Sequence, residues 1–410
     1  MKLLYSIGIY IYGALIAIAA IFNKKARKLF SGQQETLSKL KEEIDPAKQY
    51  IWFHAASLGE FEQGRPIIEY FKSEHPETPI LLTFYSPSGY EQKKNYKNVD
   101  VVAYLPLDTP RSARKFIEIV KPSKAIFIKY EFWPNFLFAL QKESIPAFIV
   151  SAIFRSNQLF FKWYGRWYLK LLKTFNHIFV QNKYSADLLK ENNITQVSVT
   201  GDTRFDRVAA QAEAVKRFPL IEQFIDNKPV IIAGSTWAKD EALLSCYLKA
   251  HSEIKMIIVP HEVHKAHLYD LFKMLQGNYV RYSEATETDI NTSNCLVIDT
   301  VGILSSVYQY ADIAYIGGGF GVGIHNILEA AVYDVPVVFG PNYQKFHEAC
   351  EIIEAGGGFS ISNYNELSER LNTLLPEHEK AGKIAGNYVR ENTGATAEIL
   401  KYISNEETKK

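Results

Sequence analysis

Two groups of residues in this chain have types and spacings suited to chemistry. One is the run Tyr315-Ile-Gly317-Gly318-Gly319-Phe-Gly321-Val-Gly323-Ile-His325-Asn326-Ile-Leu-Glu329. An apolar strand at 313–316, five glycines and a helix expected to start near His325 or Asn326 would aim backbone N–H groups and a helix dipole at an anion such as phosphate. On such a helix His325, Asn326 and Glu329 face one way, and Glu329 is placed to accept hydrogen bonds from ribose hydroxyls. The spacing matches neither the GxGxxG dinucleotide fingerprint nor a Walker loop. A plain glycine-rich βα turn with an Asn cap fits the same residues. The other group is His54-Ala-Ala-Ser57-Leu-Gly59-Glu60, with Lys129-Tyr130-Glu131-Phe-Trp133-Pro-Asn135 further on. An ionised Glu60 at a helix start suits a general base; Ser57-x-x-Glu60 equally suits a capping box. Glu131, among aromatic residues, needs a partner, and Lys129 or an arginine is expected to supply it.

Two smaller sets complete the inventory. Ser235 and Thr236 follow a buried strand and precede a helix, where they can hold phosphate or carboxylate or simply cap. His261, His264 and His267 are spaced by three, but not as HExxH, so they suit a hydrogen-bonding rim around an anion better than a metal. The sequence contains no D-x-D triplet of the kind that binds a metal–nucleotide pair.

These residues need elements to hold them. The chain has 410 residues, 47% of them hydrophobic, enough for two domains. Its 46 basic and 45 acidic residues leave a net charge of +1, which speaks against a nucleic-acid binder held by bulk charge. Three cysteines without CxxC spacing give no disulfide framework or zinc site. Apolar runs at 50–54, 80–84, 101–105, 125–129, 147–150, 177–181 and 197–200, separated by helical stretches, predict a doubly wound α/β domain. The runs at 230–233, 255–260, 295–298, 313–316 and 335–339 predict a second. In such sheets ligands lie beyond the carboxyl ends of strands, where 54–60 and 129–135 fall.

Residues 3–22 carry no charge, long enough for a helix to cross a bilayer. Lys24, Lys25, Arg27 and Lys28 follow, which places the body on the cytoplasmic side. A cleaved signal peptide fits less well, because the basic cluster comes after the apolar run; a helix lying in the interface remains a rival. Residues 31–48 read as a polar tether or short helix. A helix over 158–174 would align Lys162, Arg166, Lys170 and Lys173 as one basic stripe beside Phe160, Phe161, Trp163 and Trp167, suited to solvent or to a bilayer surface.

In order and at these separations the motifs resemble the 3-deoxy-D-manno-octulosonic acid (Kdo) transferases of lipid A assembly, from about residue 50 to the C-terminus. The segments 54–60, Glu131–Asn135, Gly201-Asp202-Thr-Arg204-Phe-Asp206, Ser235-Thr236, 317–329 and Gly340-Pro-Asn342 carry the resemblance. The chain departs from the family pattern at Asp202, Arg204 and Trp237, at His261-Glu-Val-His264-Lys265 in place of P-R-H-P-E-R, and at Ser151-Ala-Ile-Phe-Arg155 in place of N-A-R-L-S.

The resemblance implies an α/β fold of GT-B type: two Rossmann-like domains facing a cleft, with an N-terminal hydrophobic anchor helix. The expected divisions are 1–30 for anchor and basic flank, 31–215 for the acceptor domain, 216–385 for the donor domain, and 386–410 for a C-terminal helix and tail. The implied reaction is an inverting, metal-independent transfer of Kdo from CMP-Kdo to a lipid A precursor, lipid IVA, at the cytoplasmic face of the inner membrane, with no cofactor and no nucleic acid. Glu60 would be the base. Ser235, Thr236, His261, Gly317, Gly318, Gly319, Gly321, Gly323, His325, Asn326 and Glu329 would contact the donor. Ser57, Lys129, Glu131 and Arg155 would contact the acceptor. Rival readings are a nucleotide-sugar epimerase of the same architecture and a non-catalytic membrane-tethered binding protein.

Overall fold

The computed structural model describes residues 2–214 and 216–407; Val215, the expected domain boundary, and 408–410, the end of the expected tail, lie outside the described residues. The chain divides into two compact units. One is Met1–Arg207 together with Thr393–Lys410, the other Val208–Asn392.

The first unit is built on seven strands: β1 (Ile51–Ala55), β2 (Ile80–Phe84), β3 (Val101–Tyr104), β4 (Lys124–Ile128), β5 (Ala147–Ala152), β6 (His177–Val180) and β7 (Val197–Val199). They lie in the order β3-β2-β1-β4-β5-β6-β7, all pairings parallel. A parallel sheet is covered on both faces, so its central strands are continuous apolar runs, and every residue of β1, β2 and β4 is buried. Trp52 centres one face of the core, its ring 4.6 Å from Phe116 and 5.1 Å from Phe127, and its indole N–H donates to Thr83 Oγ1 at 2.8 Å.

The N-terminal segment forms two helices, the first over the expected apolar run. Helix α1 (Lys2–Phe22) does not stand apart from the unit. Tyr5 donates to Asp108 Oδ2 at 2.8 Å, the Ser6 hydroxyl donates to Asn135 Oδ1, and Tyr12 bonds the Tyr85 hydroxyl. Its other face leaves Leu3, Leu4, Ile7, Ile11, Leu15, Ile18, Ile21 and Phe22 exposed. Helix α2 (Lys24–Glu43) takes the helical alternative for most of 31–48 and begins earlier, in the basic cluster. Asn23 caps it, Leu40 is buried in the core, and Gln33 and Thr36 donate to the carbonyls of Leu105 and Tyr104. The expected helix over 158–174 is broken into two 3-10 turns, Leu159–Phe161 and Trp163–Gly165, followed by Arg166–Leu172. Gly165 packs so tightly on the Leu159 carbonyl that no Cβ fits there, and Lys162 drops out of the basic stripe.

The second unit carries β8 (Val230–Thr236), β9 (Lys255–Pro260), β10 (Val280–Arg281), β11 (Cys295–Val297), β12 (Ile313–Ile316), β13 (Val337–Phe339) and β14 (Gly358–Ser360). Their order is β10-β11-β9-β8-β12-β13-β14, again all parallel. The two edge strands β10 and β14 are too short to show a sequence period, and β14 starts inside a glycine triplet that reads as a turn. The chain then returns to the first unit, where Asp206 accepts the backbone N–H groups of Gly394 and Thr396 at the start of helix Ala395–Glu407.

Asp108 is fully buried and accepts from Tyr5 and from the N–H groups of Asn135 and Phe136. Burial pushes its carboxyl up to about 7, against the lowering effect of those hydrogen bonds. Between the ordinary carboxylate value and 7 the folded chain holds a proton that the unfolded chain has released. That contribution to stability is full below about pH 4 and is lost as pH rises through 7. Thermal unfolding followed from pH 4 to 8 should show this loss, and Asp108→Asn should flatten it.

Candidate active site

In each sheet the chain reverses direction at one place, between β1 and β4 in the first unit and between β8 and β12 in the second. Loops beyond the carboxyl ends of strands at such a switch point form a crevice. The four loops at these points carry most of the residues that the sequence marks for chemistry.

In the first unit β1 runs into Ser57, which starts helix α3 (Leu58–Glu74). The Ser57 side chain makes no cap to the helix backbone; its hydroxyl donates instead to the Glu60 carboxylate. The capping box is therefore not formed, and Glu60 is a half-buried carboxylate held from the side. After β4, Lys129 takes a left-handed backbone (φ 68°), a conformation that costs a non-glycine residue about 1–3 kcal/mol and persists only where the surroundings impose it. Its ammonium lies 5.6 Å from the ring centre of Tyr130. Burial raises the Tyr130 phenol, Arg155 draws it down and Glu60 pushes it up, so these three side chains share one field. Tyr130 was legible only as a neighbour of Glu131 in the sequence, with no period or motif to mark it.

Among the described residues Glu131 pairs with neither Lys129 nor an arginine. Its Oε2 takes the Trp133 indole N–H at 2.8 Å and lies 3.1 Å from His54 Nε2. The other nitrogen of His54 lies 2.9 Å from Thr83 Oγ1, which also accepts from Trp52. The Trp133 N–H also lies 2.9 Å from His54 Nε2, but with its proton given to Glu131 Oε2 a consistent set has Thr83 donating to Nδ1 and His54 donating from Nε2 to the same carboxylate. Tyr85 packs on Trp133, at 5.1 Å between ring centres. Helix α3 is itself clamped from the segment after β7. Buried Asp202 accepts from Gln63 and pairs with Arg204 at 2.7 Å, and Arg207 reaches Glu62 at 3.0 Å. Burial alone would raise the Asp202 carboxyl; Arg204 and the hydrogen bonds more than offset it, so it is lowered.

In the second unit the bulge between Gly234 and Thr236 puts Ser235 in a left-handed conformation (φ 54°) at the end of β8. Thr236 points inward: it is fully buried, and its hydroxyl donates to Glu241 Oε1 at 2.9 Å, an oxygen that His267 Nε2 also reaches at 2.9 Å. The three histidines thus diverge in their work. His264 caps helix Lys265–Leu275, His267 serves Glu241, and exposed His261 stacks with its ring centre 4.8 Å from that of Trp237 and 4.4 Å from that of His325.

The glycine run does not lead into a helix at His325. Residues 317–322 form consecutive turns, and the helix is a single short one, Leu328–Ala331. His325 therefore parts from the other two predicted polar residues. Its side chain joins Trp237 and His261, whereas Asn326 donates to Glu329 Oε1 at 3.1 Å and accepts from Leu328 N–H. The N–H groups of Gly317, Gly318 and Gly321 bond to Gly234 O, Asp240 Oδ2 and Gly318 O. Gly319 and Gly323 remain as glycine donors of the loop with no protein acceptor among the described residues. Asp240, absent from the sequence-derived set, is buried and holds the Trp237 N–H, the Gly318 N–H and the Tyr315 hydroxyl together at 2.8–3.0 Å.

The glycines differ in what they permit. A Cβ on Gly319 would sit 2.6 Å from the Gly340 backbone, whereas one on exposed Gly321 would meet only Gly318 O, at 3.4 Å. Gly319→Ala should lower stability by about 1–3 kcal/mol, and Gly321→Ala should stay within about 0.5 kcal/mol of the parent, both read from denaturant midpoints.

The sequence profile described as 3-deoxy-D-manno-octulosonic-acid transferase (kdotransferase) matches residues 29–207. A protein of Aquifex aeolicus named 3-deoxy-D-manno-octulosonic acid transferase is 30% identical over 363 residues, 85% of this chain and 94% of that one. One of the same name from Haemophilus influenzae is 27% identical over 379 residues, 87% of each chain. Among solved structures, UDP-GlcNAc 2-epimerase from Neisseria meningitidis superimposes with a TM-score of 0.61 at 17% identity, covering 87% of this chain and all of that one. MurG from Acinetobacter baumannii gives 0.55 at 14% identity, with 87% and 99% covered. These structural likenesses show the fold, an α/β architecture of GT-B type with two Rossmann-like units, and carry no activity across.

Proposed function

This chain belongs to the 3-deoxy-D-manno-octulosonic acid (Kdo) transferase family, and on that premise we propose that it moves Kdo from CMP-Kdo to a lipid A precursor of the lipid IVA type. It is a glycosyltransferase by that membership. The observation that carries the mechanism is the state of Glu60: a carboxylate at a helix start, at a topological switch point, held by a hydroxyl and not used as a cap. Glu60 takes the proton of the attacking acceptor hydroxyl as the new bond forms to the anomeric carbon. The CMP leaving group departs from the opposite face, which inverts that carbon.

Lys129 and Arg155, beside Tyr130, supply positive charge for the phosphates of the acceptor, and Ser57 and Glu131 orient it. In the second unit Gly319 and Gly323 offer N–H groups to the CMP phosphate as it leaves, a use of fixed donors where charge develops. Gly317, Gly318 and Gly321 shape that loop. Glu329, oriented by Asn326, takes ribose hydroxyls, and Ser235, His261 and His325 border the phosphate or the Kdo carboxylate. Thr236 acts through Glu241, from behind the site. The reaction needs no metal, the charge of the leaving group being met by these donors.

Glu60→Gln should cut transfer by about 100- to 10,000-fold with an unchanged melting temperature, measured with CMP-Kdo generated in situ and a lipid A precursor. Retained transfer would remove the base assignment. Inversion is read from the anomeric configuration of the product by NMR, and metal independence from activity in excess chelator.

The acceptor is a lipid; α1 supports a membrane location, and the basic cluster Lys24, Lys25, Arg27 and Lys28 after it argues for the cytoplasmic face. Its docked side is tied by Tyr5, Ser6 and Tyr12, which favours a helix lying in the interface over one crossing the bilayer. Ile7→Asp with Ile11→Asp and Ile18→Asp, all on the exposed face, should release the protein from anionic vesicles in a flotation assay while its melting temperature holds. Persistent flotation in high salt would place the membrane contact elsewhere.

A further inference from the structure

Trp237 stands where the family pattern has histidine, and the structure gives it a task that histidine would perform differently. Its indole Nε1 lies 3.3 Å from His325 Nε2, in donor geometry. An indole N–H can only donate. His325 Nε2 must therefore carry a lone pair, and a neutral ring then holds its proton on Nδ1. The same edge of the ring, Nε2 and Cδ2, faces Gly318, where even a Cβ would come within 3.0–3.3 Å. His261 stacks on His325 at 4.4 Å between ring centres and 28° between planes, and on Trp237 at 4.8 Å and 27°. The Trp237 main chain is anchored in turn by buried Asp240. The imidazole is thus held by its face and by one edge, while its Nδ1 has no protein acceptor among the described residues.

Burial, with His261 adding to it, brings the His325 imidazole down to about 4, so the ring is neutral at ordinary pH and its tautomer decides what it offers. A ring protonated at Nε2 would present a lone pair at Nδ1 and repel an anionic oxygen. Protonated at Nδ1, it donates. Histidine in place of Trp237 could donate or accept and would leave the choice open.

We propose that Trp237 is a positioning residue that locks His325 in its Nδ1–H tautomer, so that the neutral ring donates a hydrogen bond to a phosphate oxygen of the bound nucleotide. This rests on the reading of the second unit as the CMP-Kdo half of the enzyme. The fixed donor complements the Gly319 and Gly323 N–H groups of the same loop.

The test begins on the full-length unliganded protein, with histidine labelled by 15N and long-range proton–nitrogen correlation used to read the tautomer; His325→Gln assigns the signal. The expected result is Nδ1–H in the parent and a shift toward Nε2–H or a mixture in Trp237→Phe, which keeps an aromatic face toward His261 but has no N–H. A parent ring in the Nε2–H form, or a Trp237→Phe variant with unchanged tautomer, overturns the proposal without any use of ligand. Calorimetry with CMP and with cytidine follows. Trp237→Phe should weaken CMP about 5- to 10-fold, less than the full loss of a hydrogen bond to a charged group because the freed ring can still adopt the donating tautomer, and leave cytidine unchanged. Equal losses for both would show a stacking role and overturn the phosphate contact. If the parent binds no CMP while His325 is locked as Nδ1–H, the donor reading of the loop fails and with it the phosphate contact, and the tautomer lock stands alone.

Discussion

One buried carboxylate organises the second unit's switch point. Asp240 has no exposed surface, and its two oxygens accept from the Trp237 N–H at the end of β8, the Gly318 N–H in the loop after β12 and the Tyr315 hydroxyl within β12. A buried carboxylate short of partners would be costly, so the three donors must stay where they are. That requirement pins two loops to each other that are nearly eighty residues apart in sequence. The Trp237 ring, the His325 ring and the glycine turn inherit their positions from it. The first unit reaches a similar end by other means, with Asp202 and Arg204 gripping Gln63 and so the helix that begins beside Glu60.

Both units also bend the backbone where a site is wanted. Lys129, Ser151 and Ser235 all take left-handed conformations at or near the carboxyl end of a central strand, and two of them coincide with a shift of register, in β5 and in β8. A bulge of this kind re-aims the following side chain. In β8 it turns Thr236 inward to Glu241 and leaves Trp237 on the surface side. A straight strand would alternate these residues differently and break the Trp237–His325 hydrogen bond.

Much of this was legible in the sequence because parallel strands buried on both faces are unbroken apolar runs. The strand ends, and hence 54–60, 129–135, 235–237 and 317–329, follow from those runs. What was not legible depended on close approach through space. Five glycines followed by His-Asn read as a helix start, yet the loop closes by turns because Gly317 must pass the Ser235 carbonyl and Gly319 the Gly340 backbone. The basic stripe at 162–173 failed at Gly165, where contact with Leu159 interrupts the helix. Glu131 was assigned a cation by charge alone, whereas its partners, His54 and Trp133, come from β1 and from its own loop. Asp240 stands in the first turn of a helix, Ala238–Ala250, where an acidic residue is ordinary, and nothing in its local sequence announces the distant donors.

The docking of α1 has a consequence during synthesis. Tyr5 finds Asp108 and Ser6 finds Asn135 across 103 and 129 residues. At about 5–20 residues per second, those partners leave the ribosome roughly 5–25 s after the helix itself. Throughout that interval an apolar helix of 21 residues is complete and its seat in the first unit does not exist. Its docked face and its exposed face are then equivalent in being uncovered, and the surface that it meets first decides whether the nascent chain folds in solution or against a bilayer.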